Sequence, residues 1–272
     1  MLNKILVILI LVLVFLIYKS GTHETQPNLN ISISSIEIPS NWLTASTYPV
    51  TLATLPSGRQ IQLYKFGEGS ITLLIVGNIH GGYESNAYLI TENILSAFSN
   101  GEIIIPENVS IYVIPTMNPD GLSNGQSLAG RFNGQGVDLN RNWDYEWKSS
   151  VIFHGESVKA GSAPFSEIET QTVGALALQL KPTVTVFFHC CWGMGTTFAN
   201  DLANDAGTAL ANGSGYQLLT GLSGENGEAR DWFQIQGLPA IEHEFPAWTE
   251  SLDTDWANNL PGLIALLDWI SQ

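Results

Sequence analysis

His80, Glu84, His189 and Glu244 are the residues whose types and positions could do chemistry together in this sequence. In "VGNIHGGYESN", residues 76–86, an apolar strand ends in His80, two glycines follow, and Glu84 opens a helix. His and Glu are both zinc ligands, and glycines let backbone pass close to a bound ion or substrate. Taken alone, the stretch reads equally well as a tight turn whose Glu caps a helix dipole. His189 would complete a three-ligand set with an open fourth position, the arrangement of hydrolytic rather than structural zinc. Water at such a position loses a proton near neutral pH and becomes a nucleophile. Glu244 is then the candidate general base. Arg131, Asn140 and Arg141, in "GRFNGQGVDLNRNWD", supply donors for a developing oxyanion or for a carboxylate.

The elements that must position these residues are legible as runs. "YPVTLATLPSGRQIQLYKFG" reads as two strands joined at Pro56-Ser57-Gly58. "ITLLIVGN", "VSIYVIPTMN" and "PTVTVFF" are continuous apolar runs, as expected of strands buried on both faces. "ESNAYLITENILSAFSN" has apolar residues at helical spacing. "SEIETQTVGALALQLK" predicts a helix with Ser166 as N-cap and Glu169 completing a capping box. After a small-residue stretch come a short helix near "GEARDWFQ", the strand "LPAIEHEF" and a last helix, "NLPGLIALLDWI". The alternation predicts a three-layer αβα domain with a mixed, mostly parallel central sheet. Such sheets bind ligands beyond the carboxyl ends of their strands. His80, Asn118 with Asp120, His189 and Glu244 each fall at or just past such an end. Four strands delivering these residue types to one edge favours the chemical reading over the capped turn.

Composition removes some functions. The chain has 25 Asp+Glu against 10 Lys+Arg and a formal charge of −15, with no basic stripe, which excludes a nucleic-acid partner. At the N-terminus, Lys4 precedes fourteen uninterrupted apolar residues, "ILVILILVLVFLIY", and Lys19 closes the run. As a helix this run spans roughly 21 Å, short of the roughly 30 Å hydrocarbon core but extendable through Leu2 and the snorkelling lysines. Residues 1–19 are expected to be a signal-anchor, with a cleaved signal peptide as the alternative. Residues 20–42 read as a polar tether and 43–272 as the catalytic domain, which would lie outside the cytoplasm, membrane-anchored by that segment or secreted. The two cysteines, Cys190 and Cys191, are adjacent and cannot staple distant segments. They are expected to be two small, partly buried residues, with a vicinal disulfide as the remote alternative.

The sequence resembles the zinc carboxypeptidases of the carboxypeptidase A superfamily, especially the compact bacterial branch that includes the murein-peptide amidases. The resemblance rests on the His…Glu turn, "NPDG" at 118–121, "GVDLNRNW" at 136–143, "APFSEIET" at 163–170, "FFH" at 187–189 and "LPAIEHEFP" at 238–246. It implies that His80, Glu84 and His189 hold one Zn²⁺ per chain. It further implies that Glu244 is the base that activates water and returns the proton to the leaving amine. Arg131 would stabilise the tetrahedral intermediate, while Asn140 and Arg141 would grip the free carboxylate of a peptide or cell-wall peptide substrate. The residue before the Asp-Trp pair would line the pocket for the terminal side chain; here it is Arg230, suited to an acidic side chain or to an extra carboxylate such as that of diaminopimelate. A surface arginine paired with Glu228 or Asp231 is the plainer reading of Arg230.

Three departures from the family pattern stand out. Three residues, not two, separate His80 from Glu84, and the glycine pair is expected to absorb the extra one. "TGLSGENGEARDW" lacks the tyrosine that digestive members carry ahead of the base strand. Glu242 shares a strand face with Glu244 and is expected to be a pocket residue or a partner of a ligand rather than the base. His243 is expected to be packed, His154 to sit in the glycine-rich loop with the cleft wall as its alternative, and Asp138 and Asn142 to brace the arginine box. Among enzymes the competing reading is an N-acyl amino acid deacylase of the aspartoacylase and succinylglutamate-desuccinylase type. Outside enzymes it is a non-catalytic peptide- or glycan-binding relic of the fold.

Overall fold

The structure is a computed structural model that describes residues 33, 36, 38, 42, 45, 48–191, 195–246 and 252–272. The hairpin expected at Pro56-Ser57-Gly58 forms between β1 (Val50–Thr54) and β2 (Gln60–Phe66). The apolar runs become β3 (Ile71–Gly77), β4 (Val109–Ile114), β7 (Val184–Cys190) and β10 (Ala240–Phe245). Helices α1 (Ser85–Asn100), α2 (Ile168–Leu180), α4 (Ala229–Ile235) and α5 (Leu252–Ile270) lie between and after them. A separate small hairpin joins β5 (Ser150–Phe153) to β6 (Glu156–Lys159). The stretch read as small residues folds into β8 (Thr196–Ala199), α3 (Asn204–Ser214) and β9 (Gln217–Thr220).

One eight-stranded sheet runs in the order β1-β2-β4-β3-β7-β10-β8-β9. Its centre, β4-β3-β7-β10, is parallel throughout, and antiparallel pairs flank it at β1-β2, β2-β4 and β10-β8. The mixed, mostly parallel sheet was expected, and so was the helix cover on both faces. Alternate residues of each strand feed two cores. Leu74, Val76 and Phe187 pack with Val173, Leu176 and Phe233 on one face. Leu73, Ile75 and Val186 pack with Ile90, Ile94 and Leu266 on the other. Full burial of each such side chain contributes about 1.5–3 kcal/mol, which makes the central strands the rigid platform of the molecule.

Several expectations need correcting. Ser166 is not the N-cap of α2: that position is Glu167, with no side-chain capping bond. The Ser166 hydroxyl is taken by Asn142 and Glu167 instead, and Glu169 turns to Asn133. Helix α5 starts at Leu252, with Pro261 inside it. Ile33, Ile38 and Trp42, from the stretch read as a tether, are buried in the first core. Residues 1–19 lie outside the described residues, among which no helix is long and apolar enough to cross a membrane.

Candidate active site

Because β3, β4, β7 and β10 run parallel, their carboxyl ends open on one edge, and a cavity of about 660 Å³ lies there. All eight residues singled out from the sequence line it: His80, Glu84, His189, Glu244, Arg131, Asn140, Arg141 and Arg230. Asn118 and Asp120 do not. Asn118 braces the loop before His80 by donating to the Ile79 carbonyl (3.2 Å), and Asp120 pairs with Ser57 and Arg59.

The extra residue between His80 and Glu84 is absorbed as expected. Residues Gly81–Glu84 form a 3₁₀ turn, and Gly81 adopts a left-handed φ of 47°. A Cβ on Gly81 would meet the Gly130 carbonyl at 2.5 Å, and one on Gly82 would meet the Gly125 carbonyl at 2.6 Å. Backbone thus packs where side chains would push the turn out. Asn78, itself buried, donates to the carbonyls of Gly81 (2.5 Å) and Glu84 (3.1 Å) and fixes the turn from beneath.

Glu84 consequently faces both histidines. His80 Nδ1 lies 2.6 Å from Glu84 Oε1 and His189 Nδ1 lies 3.3 Å from Glu84 Oε2, all of them buried. Ligand atoms from these three residues lie within 4.8 Å of one another. The outer nitrogens also face acids: His80 Nε2 is 3.3 Å from Asp138 Oδ1, and His189 Nε2 is 3.5 Å from Glu242 Oε1. Neither approach is aligned as a hydrogen bond, and Glu244 Oε2 is likewise buried without one. Carboxylates behind ligating imidazoles orient the rings and raise their basicity. The donor set of two imidazoles and one carboxylate, converging in a buried site with spare polar atoms, fits a zinc ion.

The electrostatics are those of an acid-rich cluster. Burial opposes ionisation of Glu84, but the charges of His80 and His189 overcome it and hold Glu84 well below the usual carboxylate range. Burial would likewise lower His189, yet Glu84, Glu242 and Glu244 carry it up to about 9. Glu244 is raised well above its ordinary value by burial and by repulsion from Glu84 and Glu242. A divalent cation would draw the Glu244 pKa back down. Asp138 accepts from Arg131 Nε (2.7 Å) and from the Asn140 amide (3.0 Å), so it braces the arginine box as expected. Arg131 also lies beneath the Phe153 ring, 3.8 Å from its centroid.

The far end of the cavity is more acidic than the sequence suggested. Arg230 is buried there, so it is not a surface residue. Its Nε lies 3.5 Å from Glu228 and 3.7 Å from Glu242. Burial and the neighbouring Glu242 raise the Glu228 pKa. Asn140 donates to Glu242 (3.0 Å), and Arg141 pairs with Glu225. His154, expected in a loop with the cleft as its alternative, lines the cavity with Phe153 at the tip of the β5–β6 hairpin. Cys190 and Cys191 both line it and are bonded to each other, against the expectation of two free residues. The sequence reading named Glu228 only as a partner of Arg230, a pairing the structure keeps in a buried setting, and it missed Phe153 and Glu225. A hairpin and a loop bring them in, and no local pattern marks an acid or aromatic there as cavity-facing.

Residues 47–190 match the profile of the zinc carboxypeptidase family, more than half of the chain. The chain belongs to the zinc carboxypeptidase family. This family member is 29% identical over 173 residues to carboxypeptidase B of Astacus astacus, covering 54% of this chain and 56% of the relative. It is 30% identical over 149 residues to murein peptide amidase A of Escherichia coli, covering 50% of this chain and 57% of the relative. The match thus spans little more than half the length of these relatives. The murein-tripeptide amidase of Escherichia coli O157 shares the fold, with a TM-score of 0.64 at 22% identity over 87% of this chain and 98% of that one.

Proposed function

We propose that this family member is a zinc-dependent metallopeptidase that hydrolyses a C-terminal peptide or amide bond. One observation carries the reading: His80, Glu84 and His189 converge in the same cavity that holds Glu244 and Arg131. His80, Glu84 and His189 would hold the zinc ion, which would supply Lewis-acid activation of water and of the scissile carbonyl. Glu244 takes the proton of the attacking water and passes it to the leaving amine. Arg131, fixed by Asp138 and by the Phe153 ring, presents its guanidinium to the oxyanion. Arg141 and Asn140 hold the terminal carboxylate, and Arg230 meets the terminal side chain. The arginine supports substrates with an acidic terminal residue or an additional carboxylate. The amidase relative's name supports cell-wall stem peptides as a source of them. The paired Lys4 and Lys19 around an apolar run support an extracytoplasmic enzyme, tethered by residues 1–19 or secreted.

The test is zinc content and peptide hydrolysis of the purified full chain, with stem peptides and acidic-terminal peptides as substrates. Stoichiometric zinc with hydrolysis that stops on chelation is the expected result. Zinc without hydrolysis of any free-carboxyl or stem peptide would remove the peptidase reading and leave a metal-binding relic.

A further inference from the structure

Arg141 is the guanidinium that the proposed function assigns to the substrate's terminal carboxylate, and the fold already supplies it with one. Arg141 Nη2 donates to Glu225 Oε2, while Nη1 donates to the Asn140 carbonyl (2.7 Å). The Arg141 side chain is 10% exposed and that of Glu225 is 55% exposed, so the acid reaches into the cavity from its solvent rim.

The loop that carries Glu225 is tied down on both sides. Ser223 N, Ser223 Oγ and Gly224 N each donate to Asp231 at 2.9 Å, and Glu225 N donates to Ser223 Oγ at 3.0 Å. On the other side Asn226 donates to the Glu146 carbonyl (2.7 Å), and Gly227 exchanges backbone bonds with Tyr145 and Trp143. Gly227 adopts a left-handed φ of 71°, and a Cβ there would stand 2.0 Å from the Arg141 carbonyl. The loop backbone therefore abuts the residue it serves. Only the Glu225 side chain has to move for Arg141 to receive another carboxylate.

We propose that Glu225 is a specificity-determining residue, an internal carboxylate that occupies Arg141 until the substrate's own terminal carboxylate displaces it. This rests on the assignment of Arg141 as the carboxylate clamp. Glu225 makes a lone carboxylate a poor ligand, because that ligand only exchanges one Arg141 partner for another. A peptide that also engages the metal centre and Arg230 has further contacts to set against the exchange. The exchange weakens every carboxylate ligand by the same factor, so at a given concentration a lone anion or the released terminal residue falls below occupancy while a peptide with further contacts still binds.

The test compares zinc-loaded full-length protein with its Glu225→Gln variant, which keeps the side-chain shape and removes the charge. For a peptide with a free terminal carboxylate, KM is expected to fall about three- to tenfold, the scale of a half-exposed charge-assisted pair. For the same peptide amidated at its terminus, KM is expected to stay where it was. Calorimetric titration with N-acetylglycine should show its dissociation constant falling by a similar factor. An unchanged or higher KM and an unchanged N-acetylglycine affinity would overturn the proposal. The two readings fail separately. If neither protein hydrolyses any peptide but the variant binds N-acetylglycine more tightly, the peptidase reading falls and the Glu225 assignment stands. If both hydrolyse peptides with equal KM and bind N-acetylglycine equally, the reverse holds.

Discussion

Strand β10 turns Glu242 and Glu244 into the cavity and His243 out of the opposite face of the sheet, so one strand joins two buried polar clusters. On the cavity side, imidazoles face carboxylates, and His80 Nε2, His189 Nε2 and Glu244 Oε2 lack aligned partners. On the far side, both His243 nitrogens are matched by neutral groups, Thr197 Oγ1 at 2.9 Å and Asn259 Oδ1 at 2.6 Å. Asn259 must accept there, because its amide nitrogen donates to the Asp255 carbonyl (2.7 Å) and the Tyr216 hydroxyl (3.2 Å). His243 therefore carries its proton on Nε2. Its pKa, lowered to about 4 by burial, keeps it neutral. The same residue type is held at about 9 in His189, where carboxylates outweigh burial. The difference teaches how to tell a ligand from a core histidine. Burial alone does not distinguish them; the charge and the leftover hydrogen-bonding capacity of the surroundings do.

The comparison predicts that damage on the cavity side is chemical and damage on the far side is structural. The largest effect should come from Glu84→Ala. Purified protein should fall from about one zinc per chain to a small fraction of that, with peptide hydrolysis below detection. Metal analysis beside an activity assay checks it, and full zinc in the variant would break the assignment of Glu84. Next is Glu244→Gln, which should lower kcat/KM by about 10²–10⁴-fold, the usual share of a general base. Zinc content should be unaffected, because Glu244 lies outside the ligand set. Loss of zinc in that variant would instead make Glu244 a ligand.

On the far face, His243→Leu leaves the Thr197 hydroxyl and the Asn259 amide unmatched in a buried site. Each orphaned group costs about 1–3 kcal/mol, so a loss of about 2–4 kcal/mol in unfolding free energy is expected. Denaturant titration measures it. Zinc content and kcat/KM of the folded fraction should stay within about twofold of the parent, since a core substitution acts mainly through stability. A specific loss of turnover without loss of stability would mean that the two faces of β10 are coupled.

How much of this was readable beforehand follows the same division. The central strands announced themselves because burial on both faces forces unbroken apolar runs, and their ends carried His80, His189 and Glu244 to one edge. The region from β8 to β9 did not, because its strands have four residues each and α3, "NDAGTALANGS", carries a single large apolar residue, Leu210. The Ser166 capping box failed because a long-range partner, Asn142, competes for the hydroxyl. Pairs such as Arg141 with Glu225, 84 residues apart, are set by tertiary placement of a loop. An acid in "SGENGE" looks like any solvated loop residue until the fold shows what it faces.

The smallest predicted effect asks whether the neutral far side has a counterpart, and Glu169 supplies one. Burial, with repulsion from Glu167, pushes Glu169 up to about 7, so it resembles His243 as a buried group held neutral, but with the opposite linkage. His243 binds its proton less readily folded (about 4) than unfolded (about 6.5), so the unfolded state gains protons first as pH falls and stability drops across that window. Glu169 keeps its proton when folded up to about 7, while the unfolded chain releases it near 4.5, so its contribution is lost as pH rises through that range. Between pH 4.5 and 6.5 each contributes a change of about 2 kcal/mol, and the two nearly cancel. The single variants separate them. The stability deficit of His243→Leu should shrink by about 2 kcal/mol on going from pH 6.5 to 4.5, because only the parent suffers the histidine's loss there. Glu169→Gln should gain about as much on the parent over the reverse change. Denaturant titrations at the two pH values read both differences directly. A pH-independent offset in either variant would mean that its group titrates normally in the fold, and the contrast between neutral and charged burial would then rest on the cavity side alone.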